Sequence, residues 1–423
     1  MIQSTRAHVF TAALFALFLA SSTGAGEPLV QDPAAVQLAP APEGPGSWVD
    51  WMQKGRYWVG ARMRYEHVNQ GGFSKTADAT TLRTVLGFQT APWHGLTATL
   101  EFEDVTALFD ENYNSTTNGN AQYPIVVDPE GAEINQAFLE HSEAGSWNAR
   151  VGRQRLTFDN HRFIGNVGWR QNEQTFDALK LTALDLAGFE ATYAFVDNVN
   201  RIQGPNSLIG DLESDTHLAR VSRSLGPLGT LALYAFLLHS DSDPMKSIDS
   251  YGVRLGGKHA PEEGLGFLWT AEVAAQKDSG GNPNDVDQTY YLGELGASLG
   301  SVSLSVGQEL LGGSGKPGDA FQTPLATLHA FNGWADKFLT TPDDGLVDTY
   351  VSLEATLAKV KGVVVWHEFR ADHGGDHYGD EFDLSLSYPL RKELIVGVKY
   401  ADYAARDFLT DTRKFWLWIT LAI

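Results

Sequence analysis

Arg153, Arg155, Arg162 and Arg170 fall within one short stretch, and Arg62, Arg64, Arg83, Arg150, Lys180 and Arg254 recur at polar positions along the rest of the chain. The surrounding sequence is acidic, with 31 Lys and Arg against 52 Asp and Glu and a net charge of −21. A guanidinium group is always charged and presents a planar fork that matches a carboxylate in two parallel hydrogen bonds. Cations of this kind along a water-filled conduit would pass successive carboxylates from one fork to the next. Two unit charges about 4 Å apart attract by about 1 kcal/mol in bulk water and about 4 kcal/mol at an effective dielectric near 20, and a confined lumen lies between. Few acids near the dense arginine group in sequence can neutralise it, only Asp159, Glu173 and Asp177, so a net positive zone is expected there. The alternative for any one arginine is a cross-lumen ion pair with Glu66, Glu101, Glu103, Glu140, Glu190, Glu272, Glu354 or Asp383, which would stiffen the wall.

Other chemistry is poorly represented. There is no nucleophile elbow, phosphate-binding glycine loop or zinc helix, so no catalytic residue, no enzyme activity and no cofactor are expected. Asp372, His373, Asp376, His377 and Asp380, and separately Asp278, Asp285 and Asp287, are residue types that could bind a divalent cation, but neither set matches a defined metal loop, and the reading is acidic rim turns with no metal expected. The absence of cysteine removes disulfides and thiolate sites. The negative charge argues against nucleic acid as a partner.

Strands are the elements that must position the cations. From Tyr57 onward the chain divides into segments of about ten residues with alternating polarity. Tyr57, Val59, Ala61, Met63 and Tyr65 oppose Arg62, Arg64 and Glu66; Leu82, Leu86 and Phe88 oppose Arg83; Leu96, Ala98, Leu100 and Phe102 oppose Glu101 and Glu103. The last segment places Phe415, Leu417, Ile419, Leu421 and Ile423 on one greasy face, and its uncapped edge demands a partner strand. Connectors alternate between short (Ala91 to Gly95, Glu143 to Ser146, Gly300 to Ser301) and long (Asp104 to Gly131, Leu156 to Asn172, Leu311 to Gly345). The reading is an all-β, transmembrane, antiparallel β-barrel of about eighteen strands with short periplasmic turns and long extracellular loops. Tyr57, Trp58, Tyr65, Trp93, Trp147, Tyr388, Tyr400, Trp416 and Trp418 are expected in the girdles at the lipid boundaries. The longest loop, Leu311 to Gly345, carries Phe321, Leu325, Phe331, Trp334 and Phe338 and is expected to fold into the lumen as a plug or gate.

The organisation expected is a cleaved export signal over residues 1–25, a flexible periplasmic lead-in over 26–54 and the barrel over 55–423, placing the protein in a Gram-negative outer membrane.

Gly152, Arg153, Gln154, Arg155, then Ile164, Gly165, then Trp169, Arg170, Gln171, then Thr175, Phe176, Asp177 resemble the core motif of alginate-export-type outer-membrane proteins. Phe321 to Thr327 and Phe331 to Phe338 are similar to a second segment of that group. The resemblance implies an eighteen-stranded monomeric barrel whose electropositive constriction lets a polyuronate such as alginate leave the cell, with Arg153, Arg155 and Arg170 as pore-lining cations. The expected partners are an anionic saccharide, outer-membrane lipid and periplasmic delivery proteins. The expected function is passive passage of anionic poly- or oligosaccharides; the alternative is a porin for small organic acids or oligosaccharides.

Overall fold

A computed structural model describes residues 47–143, 145–261 and 264–423, so the expected signal and most of the lead-in lie outside the described residues. A six-residue helix, α1 (Trp48–Gln53), leads into eighteen strands. They are β1 (Arg56–Gln70), β2 (Ala77–Gln89), β3 (Leu96–Ala107), β4 (Gly131–Glu143), β5 (Trp147–Gln154), β6 (Thr175–Leu186), β7 (Phe189–Asn200), β8 (Asp211–Ser224) and β9 (Thr230–Leu238). The second half comprises β10 (Ile248–His259), β11 (Leu265–Asp278), β12 (Asp287–Leu299), β13 (Val302–Leu311), β14 (Leu346–Leu357), β15 (Val360–Arg370), β16 (His377–Arg391), β17 (Leu394–Ala405) and β18 (Thr412–Ala422).

Each strand pairs antiparallel with its sequence neighbours, and β1 closes on β18 from Gly60↔Ala422 to Gln70↔Thr412. Among the described residues closure leaves no open strand edge, and outside a few bulges the ladder N–H and C=O groups pair inside the wall, the condition for crossing hydrocarbon with strands. The period-two faces follow the sequence. Leu86, Phe102, Val151, Phe267, Leu304 and Leu417 are exposed on the outside, while Arg62, Arg83, Glu101 and Glu272 are buried within. Two of the tight turns, Ala187–Gly188 (φ 56 and 83) and Ala358–Lys359 (φ 48 and 72), use the left-handed conformations that match strand twist.

Two expectations change. Loops 71–76, 371–376 and 406–411 are as short as the turn at 90–95, so the alternation of connector lengths is not strict. Trp58, Trp416 and Trp418 are not girdle residues: Trp416 is 0 % exposed and points inward with Trp418, and Trp58 Nε1 donates to Glu101 Oε2 at 2.7 Å. Each sits at an even position beside an outward odd one, and period two outweighs the aromatic preference for the boundary. Tyr57, Trp93, Trp147 and Tyr388 stay exposed near the turn end.

Candidate functional site

An eighteen-stranded wall leaves a wide lumen unless loops fill it. Two do. Residues 155–174, between β5 and β6, and 312–345, between β13 and β14, turn inward and join through a parallel bridge, Ile164↔Leu325, with Gly165 N donating to Leu325 O at 2.9 Å. Gly165 is required by the approach, since a Cβ there would lie 2.2 Å from Thr327 Oγ1. Phe163 packs edge-on against Tyr290 and Phe321, and Phe338 packs against Phe369 of β15. The apolar residues of the long loop are thus spent on a buried core that fastens the two loops to the wall.

Arginines make the polar half of this fastening. Arg62 of β1 donates to Gln171 Oε1 and Gly168 O, both at 2.9 Å, and to Arg170 O. Arg64 reaches the Trp169 carbonyl and the Asp128 carboxylate. Arg83 of β2 binds Glu103 Oε2 and Glu173 Oε1, each at 2.6 Å. From the loops themselves, Arg155 binds Glu101 Oε1 at 2.7 Å and also Glu173, and Arg162 binds Glu309 Oε1 at 2.7 Å and Asn332 Oδ1 at 3.0 Å. Arg170 bridges Glu66 Oε2 at 3.1 Å and Asp336 Oδ2 at 2.9 Å. The net positive zone expected from local sequence is therefore corrected: its neutralising acids arrive from β1, β3, β13 and the long loop.

At the centre is Asp336, in a left-handed turn (φ 59), which accepts from His329 Nδ1 at 2.7 Å, Lys414 Nζ at 2.6 Å and Arg170 Nη2 at 2.9 Å. Burial alone would raise its carboxyl pKa, but His329, Lys414 and Arg170 hold it well below the usual carboxylate range. Burial pushes His329 well below its ordinary value, so the ring is neutral. Its Nε2 accepts from Lys399 Nζ at 2.8 Å, which leaves the Nδ1 proton for Asp336. Trp169 stacks on His329 with ring centroids 5.1 Å apart and meets Trp416 and Trp418 edge-on. The Lys399 ammonium lies 3.7 Å from the Trp334 ring centroid and 4.4 Å from that of Trp169, a cation held by aromatic faces as well as by charge.

Nearer the periplasmic turns the wall cations keep access to water. Arg150 Nε donates to Glu140 Oε2 at 2.6 Å with 27 % of its side chain exposed, against 0 % for Arg64. Lys180 stands opposite Arg150 in register. Arg254 pairs with Glu272, which Tyr234 OH also reaches at 2.9 Å. Sequence reading missed Arg220 of β8, which faces inward and holds Asp159 of the first loop through Nη2 at 2.7 Å and Nε at 3.0 Å, and Lys414 of β18. The inward row of β8 includes Leu212 and Leu218, so its polarity contrast was blurred.

Arg153 is placed apart from the others. Its register partners are Ala137 and Asp177, in the row of Leu139, Val151 and Leu179, whose side chains are exposed on the outer face; Gln154 and Phe176 occupy the buried inner row. Arg153 therefore stands on the outward face near the loop end of β5, in a two-point pair with Asp177 at 2.8 and 3.0 Å. Within β5 the wall alternates from Val151 to Gln154, so Arg153 cannot share the lumen face with Arg150, whereas Arg155 lies past the strand end and turns inward with the loop.

The sequence model of the alginate export family matches residues 59–300, more than half of the chain. The fold is similar to that of solved outer-membrane proteins at low identity. OccAB4 of Acinetobacter baumannii superposes with a TM-score of 0.69 at 12 % identity, over 87 % of this chain and 98 % of that one. OccK3 (OpdO) of Pseudomonas aeruginosa gives 0.66 at 14 %, over 89 % and 97 %, and OpdK of the same organism with vanillate gives 0.66 at 13 %, over 87 % and 98 %. The search of curated proteins gave no match.

Proposed function

The chain belongs to the alginate export family, and from that premise we propose that this outer-membrane barrel is a passive channel for anionic saccharides, with polyuronates and their oligomers as the substrate class. The observation that carries the reading is a set of partly accessible cations facing the lumen: Arg150, Arg220 and Arg254 of the wall and Arg155 at the start of the first loop, each paired with an acid, and Lys180, opposite Arg150 in register. A uronate entering there competes with a wall carboxylate for the same guanidinium fork, and the displaced carboxylate, partly accessible, is left to water. Binding is then tight enough to recruit and weak enough to release, as conduction requires. No cofactor or energy source enters this scheme, the barrel acts as a monomer, and flow follows the substrate gradient.

A second reading, uptake of small organic acids, draws on a specific observation. The two loops pack into a continuous buried core inside the lumen, which leaves less open cross-section than the bare barrel. OpdK, which shares the fold, was solved with vanillate, itself a small carboxylate. Planar-bilayer recordings separate the two. The saccharide reading expects anion-selective reversal potentials and current block by oligouronates, both reduced in an Arg150→Ala/Arg254→Ala variant. Block by vanillate without block by oligouronates would replace it with the second reading.

A further inference from the structure

Outside the lumen, β15 and β16 carry an irregularity that the channel does not use. The ladder runs Glu368↔Asp380 and Phe369↔Gly379, then shifts to Arg370↔His377. The shift leaves Tyr378 as an extra residue, buried against the loop core, and sets His377 and Asp380 together on the outer face. In a regular strand, residues three apart face opposite sides, so the bulge re-aims one of them. Gly379, at φ 150, permits it: a Cβ there would meet Ala404 O at 2.4 Å.

The residues gathered this way share a geometry. His377 Nε2 is buried without a hydrogen-bond partner, 3.6 Å from Asp380 Oδ1 and 3.9 Å from Glu368 Oε1. The three ligand atoms lie within 4.8 Å of one another. The two imidazole–carboxylate separations are long for hydrogen bonds and near the roughly 3.4 Å that divides two ligands each about 2.1 Å from one tetrahedral ion. Asp380 is oriented from behind, its Oδ2 accepting from Arg406 Nη2 at 3.0 Å; Glu368 Oε1 accepts from Arg370 Nη2 at 2.6 Å, a bond a metal ion would share or displace; and the His377 backbone N–H donates to Asp407 Oδ2 at 3.1 Å. With Asp407 the site holds three carboxylates against the guanidinium groups of Arg370 and Arg406, so the local field favours a cation.

We propose that Glu368, His377 and Asp380 form a three-ligand site for a borderline divalent cation of the zinc class on the outward rim of the barrel. One imidazole with two carboxylates suits zinc-like ions, whereas calcium and magnesium take all-oxygen sets. Bound there, the ion clips β15 to β16 next to the loop at 371–376, with its remaining coordination open to the outside.

Calorimetric titration of zinc chloride into the EDTA-treated full-length barrel in detergent micelles tests this. Wild type is expected to bind one ion more per barrel than His377→Ala, while Glu368→Gln and Asp380→Asn weaken that event by about tenfold or more, given that even outer-shell changes reach ~10–100-fold. A heat-dependent gel shift and unchanged conductance show that each variant keeps its barrel. X-ray absorption of the loaded protein is expected to show an imidazole among oxygen ligands. Equal zinc stoichiometry in wild type and His377→Ala, displacement of the zinc by equimolar calcium, or a zinc shell without imidazole would each overturn the assignment.

Discussion

The plug and the wall beneath it are built from the same residue types, and they differ in water. Around Asp336 the cations Arg170, Lys414 and Lys399 are almost wholly buried and are tied into one network: Arg170 and Lys414 through Asp336, and Lys399 through His329 and the rings of Trp169 and Trp334. Arg150 and Glu140, toward the periplasmic turns, form a two-residue pair about a quarter exposed. Removing one member of a buried network leaves the others uncompensated in a low dielectric, whereas an exposed pair contributes little to stability and exchanges readily. The same guanidinium chemistry thus fastens in one zone and is free to trade partners in the other. Stability and selectivity should therefore respond to different arginines.

The largest effect expected is at Asp336. Asp336→Asn keeps the shape but leaves Arg170, Lys414 and the His329 proton without their anion, at a cost of about 3–5 kcal/mol. Loss of plug docking should appear as higher single-channel conductance and a lower urea midpoint. Wild-type values for both would show that the network does not hold the loops. Next comes Gly165→Ala, which drives a methyl group to 2.2 Å from Thr327 Oγ1 and should cost about 1–3 kcal/mol by forcing the two loops apart. Thr327→Ala in the same chain should restore part of it, and the absence of rescue would place the fault elsewhere.

Arg150→Ala sharpens the other side of the comparison. It should change stability by at most about 1 kcal/mol and still shift the reversal potential toward cations. A stability loss as large as that of Asp336→Asn would erase the distinction between the zones.

A smaller effect is expected from pH. Burial, then the neighbouring Lys414, pushes the Lys337 ammonium down to about 8. A released loop regains the ordinary value of 10.5, so between these values the seated loop binds fewer protons than the free one, and seating strengthens as pH rises through that window. Asp336 does not interfere, because its carboxyl is held well below its usual range and its contribution is fully present throughout. Open-state noise should fall from pH 8 to 10 in wild type and stay level in Lys337→Met. A slope of the opposite sign would contradict the linkage.

How much of this was legible in the sequence follows from which forces are local. Wall faces were readable because period two is a local rule: Phe415 and Leu417 outward, Arg62, Arg64 and Arg83 inward. The loops were recognisable by length, and the one at 312–345 by its buried aromatics. The pairing of the arginines was not, because Glu101 is 54 residues from Arg155, Glu309 is 147 from Arg162, and Asp336 is 166 from Arg170. Only closure of the barrel and inward folding of the loops bring these charges together. Trp416 and Trp418 were misplaced although the same local rule puts them inward, because residue type pointed against their even positions; their partner Trp169, on a loop far away in sequence, was not readable.

The smallest effect expected is the most discriminating, because Arg153 is part of the family motif and yet stands outside the lumen. Its two bonds to Asp177 are partly exposed, with side-chain exposures of 28 and 31 %, so Arg153→Ala should change stability by about 1 kcal/mol or less. Its charge is separated from the conduit by the wall, and its field at the lumen is screened over a Debye length of about 8 Å at physiological salt. Reversal potentials in Arg153→Ala should therefore match wild type, measured beside Arg155→Ala, two residues along, in which they should move toward cations. If the two variants shift selectivity equally, the alternation of faces at the end of β5 is broken, and Arg153 reaches the pore after all.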